Sequence, residues 1–288
     1  MTILKERLLS DRMLDPSPNI LMKRLGLISL LLTNLLTPEV SFANTNNTIV
    51  IDPGHEPSKG GATSTCGEKE VVYNDRMSQK LLQALKPYKV ILTRQPGKEV
   101  VADVSLNQAL SPSGKVSWAK SKSLLARPAI ANSSKADIFI SIHHDSVSAK
   151  HQVPHDGACK GKTVSDDFKR KYKIGFNVFV NGDGKEPNRT KSIKLATMIG
   201  KSLLEIGRVP SDYHFYPVDD CKSCEPIDKK YGVWHQNLAV LREAKMPAVL
   251  IEVGNIVDHE DERLMVSESF RAKFSSQIKK SVDEYFSN

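Results

Sequence analysis

The chain lacks internal repeats, long low-complexity tracts and long apolar runs. No segment of its 288 residues recurs at a fixed spacing, which excludes stacked-repeat architectures. The apolar run over residues 25–36 falls short of the about 20 residues that cross a bilayer, so it does not read as a membrane span. Cysteine is scarce: Cys66, Cys159, Cys221 and Cys224 are the only four. The lone C-x-x-C from Cys221 to Cys224 has no second such pair to complete a zinc knuckle. An even number of cysteines suits structural disulfides in an oxidising compartment, with the pairing undecidable from spacing. Acidic residues are the minority among the charges, 33 against 41 Lys and Arg, for a net +8. That balance suits a polyanionic partner such as nucleic acid, anionic lipid or an acidic polymer, and equally well ordinary solubility. What remains, 40% hydrophobic and 26% charged, fits one globular domain with a substantial core.

Beginning at Met22, "MKRLGLISLLLTNLLTPEVSFANTN" sets a basic segment before an apolar run, then puts Ser41 and Ala43 at the minus-three and minus-one positions of a cleavage site. That is the layout of a secretory signal peptide cut after Ala43. The expected organisation is an N-terminal extension and leader over residues 1–43 and one domain over residues 44–288, exported to the periplasm or cell envelope. Export argues against DNA or RNA as partners.

From Thr48 onward, strand-like and helix-like segments alternate. "TIVIDPGH" reads as a short β-branched strand, and "EVVYNDRMSQKLLQALK" lines up Tyr73, Met77, Leu81 and Leu85 on one helical stripe. "YKVILTR" and "GFNVFVNG" are strands; "SLLARPAIANSS" is helical, with Pro128 near its first turn or at a local irregularity. "ADIFISIHHD" and "MPAVLIEVGN" are apolar enough for strands covered on both faces. "SIKLATMIGKSLLEIG" and residues 261–286 are further helices. The pattern predicts an α/β fold, a mixed, mainly parallel central sheet flanked by helices on both faces. Residues 145–173 and 208–234 follow neither period and read as insertions. Their cysteines favour ordered binding loops or lids over disorder.

Polar residues stand where the apolar strands stop. His55 follows the first strand, Glu70 heads the next helix, His143 ends "ADIFISIH", and Glu252 ends "PAVLIE". Ligands of open α/β sheets bind at the carboxyl ends of the strands. Two imidazoles and one carboxylate make the three-ligand set of a catalytic zinc, which keeps its fourth position open, and a second carboxylate then serves as general base. Each residue also has a plainer reading: a histidine in a turn, or an acid complementing a helix dipole at Glu70. Glu252 resists it, because a carboxylate closing such an apolar run needs a partner. Spacing alone leaves the two readings balanced.

Taken together, "IVIDPGH", "EVVYNDRMSQKLLQAL", "VILTR", "LLARPAIAN", "ADIFISIHHD", "SIKLATMIGKSL" and "LAVLREAKMPAVLIEVGNIVDHEDE" resemble the zinc-dependent N-acetylmuramoyl-L-alanine amidases of the Amidase_3 type, in that family's order. The resemblance implies one Zn2+ held by His55, Glu70 and His143, with Glu252 as the catalytic residue. It implies hydrolysis of the amide between N-acetylmuramic acid and the L-alanine of the stem peptide, in peptidoglycan or smaller muropeptides. It implies no nucleic acid partner and no stable membrane span after leader removal; an activator protein is compatible with it. Glu70 is preferred to Glu68 because Asn74 and Leu81 then fall on the family's helix positions. Period-two alternation sends His143 and His144 to opposite faces, so both cannot easily reach one ion, and the resemblance selects His143, directly after "SI". Arg127 matches a family position, structural or substrate-orienting. The chain departs from the family at His144, Asp145, Asn255, Val257 and Asp258, which leaves substrate contacts around Glu252 open. The rival functions are a zinc peptidase acting on wall peptides and a non-catalytic peptidoglycan-binding protein.

Overall fold

In the computed structural model, residues 46–101, 118–215 and 224–287 are described, and within them strands and helices alternate in the order the periodicity predicts. The expected leader, residues 1–43, lies outside the described residues. Strand β1 (Thr48–Pro53) is followed by helix α1 (Glu70–Ala84), β2 (Lys89–Leu92), α2 (Trp118–Ser133) and β3 (Ile138–Asp145). Next come a hairpin of β4 (Gln152–Pro154) and β5 (Lys162–Val164), the short helix α3 (Asp166–Lys171), β6 (Asn177–Val180) and α4 (Asn188–Glu205). The remaining elements are β7 (Glu225–Asp228), β8 (Val233–His235), α5 (Ala239–Arg242), β9 (Ala248–Asn255), α6 (His259–Val266) and α7 (Glu268–Ser287).

The main sheet has seven strands in the order β2-β1-β3-β9-β6-β8-β7. Strands β2, β1, β3 and β9 run parallel. β6 turns antiparallel to β9 and parallel to β8, with β7 antiparallel at the far edge. The result is the mixed, mainly parallel sheet that the alternation predicts. Its strands alternate strictly between two cores. Ile49, Ile51, Ile138, Ile140, Val249 and Ile251 face Met77 and Leu81 of α1, Leu195 of α4 and Phe274 of α7. Val50, Phe139 and Leu250 face Ala131 of α2 and Val240 and Leu241 of α5. Each fully buried Leu or Ile of these stripes stabilises the fold by about 1.5–3 kcal/mol, which is what makes a one-residue register slip prohibitive.

Several boundaries differ from the sequence reading, each for a local reason. Helix α2 begins at Trp118, so Pro128 lies in its interior and costs one backbone donor. The closing helix is two helices. Asp258 caps α6 by accepting from Glu260 N and Asp261 N, and Ser267 breaks the run with extended backbone before α7. Residues 225–228 and 233–235 are strands that complete the sheet edge; they are too short for a visible period, and β7 carries Pro226 and a register shift. The intervening residues 216–223, with Cys221, lie outside the described residues.

The 145–173 insertion is ordered around its own small core of Val147, Val164 and Phe168, closed by Tyr213 and Val257. A disulfide joins Cys159 in it to Cys66 in the loop before α1. Cys224 is disulfide-bonded as well. Among the described residues, no helix is long and apolar enough to cross a membrane.

Candidate metal centre

The parallel strands β1, β3 and β9 end side by side, and their carboxyl ends carry the candidate residues. The turn after β1 brings His55 round in the left-handed region, φ 57°, a conformation uncommon for a side-chain-bearing residue. Two buried arginines hold it there. Arg94 donates to the carbonyls of Pro53, Gly54 and His55 at 3.0, 2.9 and 2.8 Å. Arg127 donates to the Pro53 carbonyl at 2.6 Å and also to the His55 carbonyl. Arg94 pairs in turn with Asp75 of α1 at 2.6 Å, and Arg127 with Asp52 at 2.6 Å. Asp52 further accepts from Thr93 and Ser141. Burial alone would raise its pKa, but the Arg127 charge and these hydrogen bonds outweigh it and hold the carboxyl below its ordinary value.

Glu70, the first residue of α1, is 4% exposed and receives both imidazoles. Its Oε2 lies 2.8 Å from His55 Nε2, and its Oε1 lies 3.1 Å from His143 Nδ1. The three ligand atoms sit within 4.8 Å of one another. Around a tetrahedral zinc with bonds of 2.0–2.2 Å, ligand atoms stand about 3.3 Å apart, so this trio needs little movement to close on one ion. Two nitrogens and one carboxylate oxygen suit zinc better than magnesium or calcium, which take oxygen ligands. The residues therefore fit the metal. Burial would raise the Glu70 pKa, but hydrogen bonds and charge from His143 and His55 hold it well below the carboxylate range.

Close approach dictates two glycines. A Cβ on Gly54 would lie 2.3 Å from His143 Nε2, and one on Gly61, whose φ is +72°, would lie 2.5 Å from Glu70 Oε2. The alternatives left by the sequence separate clearly. Glu68 points outward and forms a two-pronged pair with Arg76 at 2.6 and 2.9 Å. His144 turns to the opposite side, where its Nδ1 donates to Asn74 Oδ1 at 2.7 Å, while its backbone N–H donates to Glu70 Oε1 at 3.2 Å. Burial pushes the His144 imidazole down to about 3, against the opposing pull of Glu70, which keeps it neutral. Asn74 also donates to Glu70 Oε1 and to the Gly54 carbonyl, so one amide ties α1, β3 and the β1 turn together.

Glu252 stands outside the trio but directly beside it: it is the cross-strand partner of His143 in the β3–β9 register, so both side chains share one face. Its Oε2 is buried and has no hydrogen-bond partner among the described residues. Burial, and then the negative charges of Asp145 and Glu70, push its carboxyl well above the usual range. Beside it, Asp145 accepts from the Tyr213 hydroxyl and faces His214 Nε2 at 2.8 Å. A cavity of about 300 Å³ opens over the histidines, lined by His55, His143 and Arg127 and by the apolar Leu124, Leu238 and Val240. No residue of the 145–173 insertion lines it. A larger cavity, about 410 Å³, lies by the first turn of α4, with no histidine or glutamate in its wall; size alone does not mark the site.

Sequence reasoning missed Asp52 and Arg94. Their signal was present, an acid closing an apolar strand and an arginine at the end of "VILTR", but the contacts that give them a role, Asp52 with Arg127 and Arg94 with the Pro53 carbonyl, join distant segments and are not revealed by spacing.

Among known proteins, the family model described as N-acetylmuramoyl-L-alanine amidase (Amidase_3) matches residues 49–284. N-acetylmuramoyl-L-alanine amidase AmiC of Neisseria meningitidis serogroup B is 29% identical over 255 residues, covering 82% of this chain and 52% of the meningococcal protein. The chain thus spans about half the length of that relative. Among solved structures, an N-acetylmuramyl-L-alanine amidase from Mycobacterium smegmatis superposes with a TM-score of 0.58 at 18% identity, covering 85% of this chain and 99% of that one. The CwlD amidase of Clostridioides difficile, solved in complex with the GerS lipoprotein, superposes at 0.55 with 21% identity, over 83% and 98% of the two chains. At these identities the structures establish a shared fold.

Proposed function

Because the chain belongs to the N-acetylmuramoyl-L-alanine amidase family, we propose that it hydrolyses the amide between N-acetylmuramic acid and the L-alanine of the stem peptide in peptidoglycan. The observation that carries the mechanism is the His55–Glu70–His143 trio, its ligand atoms within 4.8 Å, with Glu252 next to His143 across the strand pair. In this reading His55, Glu70 and His143 hold one zinc ion. Zinc held there supplies Lewis acidity, which makes water a competent nucleophile at neutral pH and offsets charge developing on a carbonyl oxygen.

The chain's own residues do the rest. Glu252, whose proton affinity is raised by burial and by the charges of Asp145 and Glu70, takes a proton from the attacking water and returns it to the departing amine. Asn74 and the His144 N–H orient the Glu70 carboxylate, as second-layer hydrogen bonds do in metal sites. Arg94 and Arg127 fix the turn that presents His55. The apolar wall of Leu124, Leu238 and Val240 excludes water beside the reacting amide.

The substrate locates the protein in the cell envelope, and the leader-like residues 22–43 support export there. The net charge of +8 supports retention on an anionic wall, where binding would weaken steeply with salt. An activating protein partner fits this reading too, since a related amidase was solved bound to a lipoprotein.

Mass analysis of digested peptidoglycan, run together with metal content, tests the proposal. The expected product is intact glycan with freed L-alanine amino termini; L-alanine left on the sugar would instead identify a peptidase. Glu252→Gln is expected to keep its zinc and lose hydrolysis, whereas His55→Ala and His143→Ala lose both. Wild-type zinc content in the histidine variants would overturn the ligand assignment, and near-normal turnover by Glu252→Gln would remove Glu252 from the mechanism.

A further inference from the structure

Asn177 is the first residue of β6 and is completely buried. Neither its Nδ2 nor its Oδ1 has a hydrogen-bond partner among the described residues. A buried side-chain amide with both ends unpaired is unusual and asks for an explanation. The β6–β9 register supplies one: Asn177 is the cross-strand partner of Glu252, which is itself the partner of His143. Residues directly opposite one another project to the same face with Cβ atoms about 4.5–5.5 Å apart. His143, Glu252 and Asn177 therefore form one row across three strands. The neighbouring row on that face is Ser141, Leu250 and Phe179. Ser141 spends its hydroxyl on Asp52, and the two side chains nearest the amide, Leu250 and Phe179, lie in the core beneath α2 and α5 and offer it nothing to bond. On the other flank of β6 runs Gly232, which has no side chain and spends its carbonyl on Val178 N. The aromatic ring of His214 lies against Phe179 and helps roof this end of the site. Two unpaired polar groups thus sit side by side, the Asn177 amide and the Oε2 of Glu252.

We infer that Asn177 is a positioning residue for Glu252. Its Nδ2–H, directly or through one bridging water, takes the buried Oε2 and so aims the other carboxylate oxygen at the His143 side of the row. A side-chain rotation is enough to make the contact, because the backbone register already sets the pair opposite each other. An amide suits this task. It donates to the carboxylate when that is charged, and can turn its oxygen to accept when the carboxyl carries a proton. The inference rests on Glu252 being the base.

The experiment compares Asn177→Leu, Asn177→Ala and Asn177→Ser with Glu252→Gln in zinc-loaded protein, reading kcat, KM, metal content and thermal unfolding. Asn177→Leu, close in size and apolar, is expected to lower kcat about 10- to 100-fold, the usual cost of an outer-layer residue, with KM and zinc content unchanged. Its unfolding temperature should fall only slightly, because leucine keeps the packing while Glu252 Oε2 loses its buried donor, so the loss of kcat outruns the loss of stability. Asn177→Ser, which keeps a donor, should recover part of the lost kcat relative to Asn177→Ala, and this pair decides the matter if the leucine variant does not fold. Asn177→Leu added to Glu252→Gln should cost nothing further. Wild-type kcat in Asn177→Leu, or equal losses of kcat and unfolding temperature in the serine and alanine variants, would overturn the inference. An inactive Glu252→Gln beside a fully active Asn177→Leu sinks the inference alone. An active Glu252→Gln sinks the reading beneath it.

Discussion

Replacing Arg127 with methionine leaves the carboxylate of Asp52 buried without its counter-ion. Asp52 is 0% exposed and Arg127 3%, and their 2.6 Å contact is a fully desolvated ion pair. Breaking such a pair from one side costs about 3–5 kcal/mol, because the remaining charge stays in the interior. Methionine fills much of the vacated volume, so little of that cost is cavity. Against a total stability of about 5–15 kcal/mol, the variant should still fold but melt about 6–20 °C lower. The pH dependence sharpens the test. In the native protein the Asp52 pKa lies below the ordinary 3.8. Its contribution is therefore fully present above the unfolded value and is lost only as pH falls through the lower folded one. Without Arg127, burial raises the folded pKa above the unfolded one, and the sign reverses: acidification then protonates Asp52 in the folded state and relieves the variant. Urea unfolding of metal-free protein at pH 7 and pH 5 should give a gap between wild type and Arg127→Met that narrows at the lower pH. Adding Asp52→Asn should recover most of the loss. A loss under about 1 kcal/mol at pH 7, the scale of an exposed pair, or a gap that does not change with pH, would refute this account of how the His55 turn is held.

Gly54→Ala is expected to weaken zinc binding about tenfold or more while leaving the circular dichroism unchanged, since its Cβ would lie 2.3 Å from His143 Nε2; chelator competition measures it, and wild-type affinity would mean that His143 has room to move. Cys66→Ser opens a covalent loop of 93 residues and should cost about 2–4 kcal/mol of stability, read by denaturant unfolding with and without a reductant. Reductant should destabilise the wild type at least as far as that variant, and no change in either would mean that this bridge does not form in solution.

Much of the fold was legible because it is written in local periods. Tyr73, Met77, Leu81 and Leu85 recur at helical spacing, and the buried runs ending at His143 and Glu252 can only be inner strands. Residues 225–235 were opaque for the converse reason, being edge strands too short for a period to accumulate. The candidate site divides along the same line. Which polar residues close the apolar strands is a property of the chain, and a resemblance spread over seven segments assigned them a chemistry. The preferences for Glu70 over Glu68 and for His143 over His144 came from that resemblance, and what needed three dimensions was the meetings: Glu70 with His55 and His143, and Cys66 with Cys159. Those depend on which way a side chain points once strands are in register, and a contact across 73 residues, such as that of His143 with Glu70, leaves no trace in the spacing. The resemblance flagged Arg127, but the contacts of both arginines behind the His55 turn and the orphaned amide of Asn177 belong to the tertiary structure, because burial and the lack of a partner are properties of a packed interior.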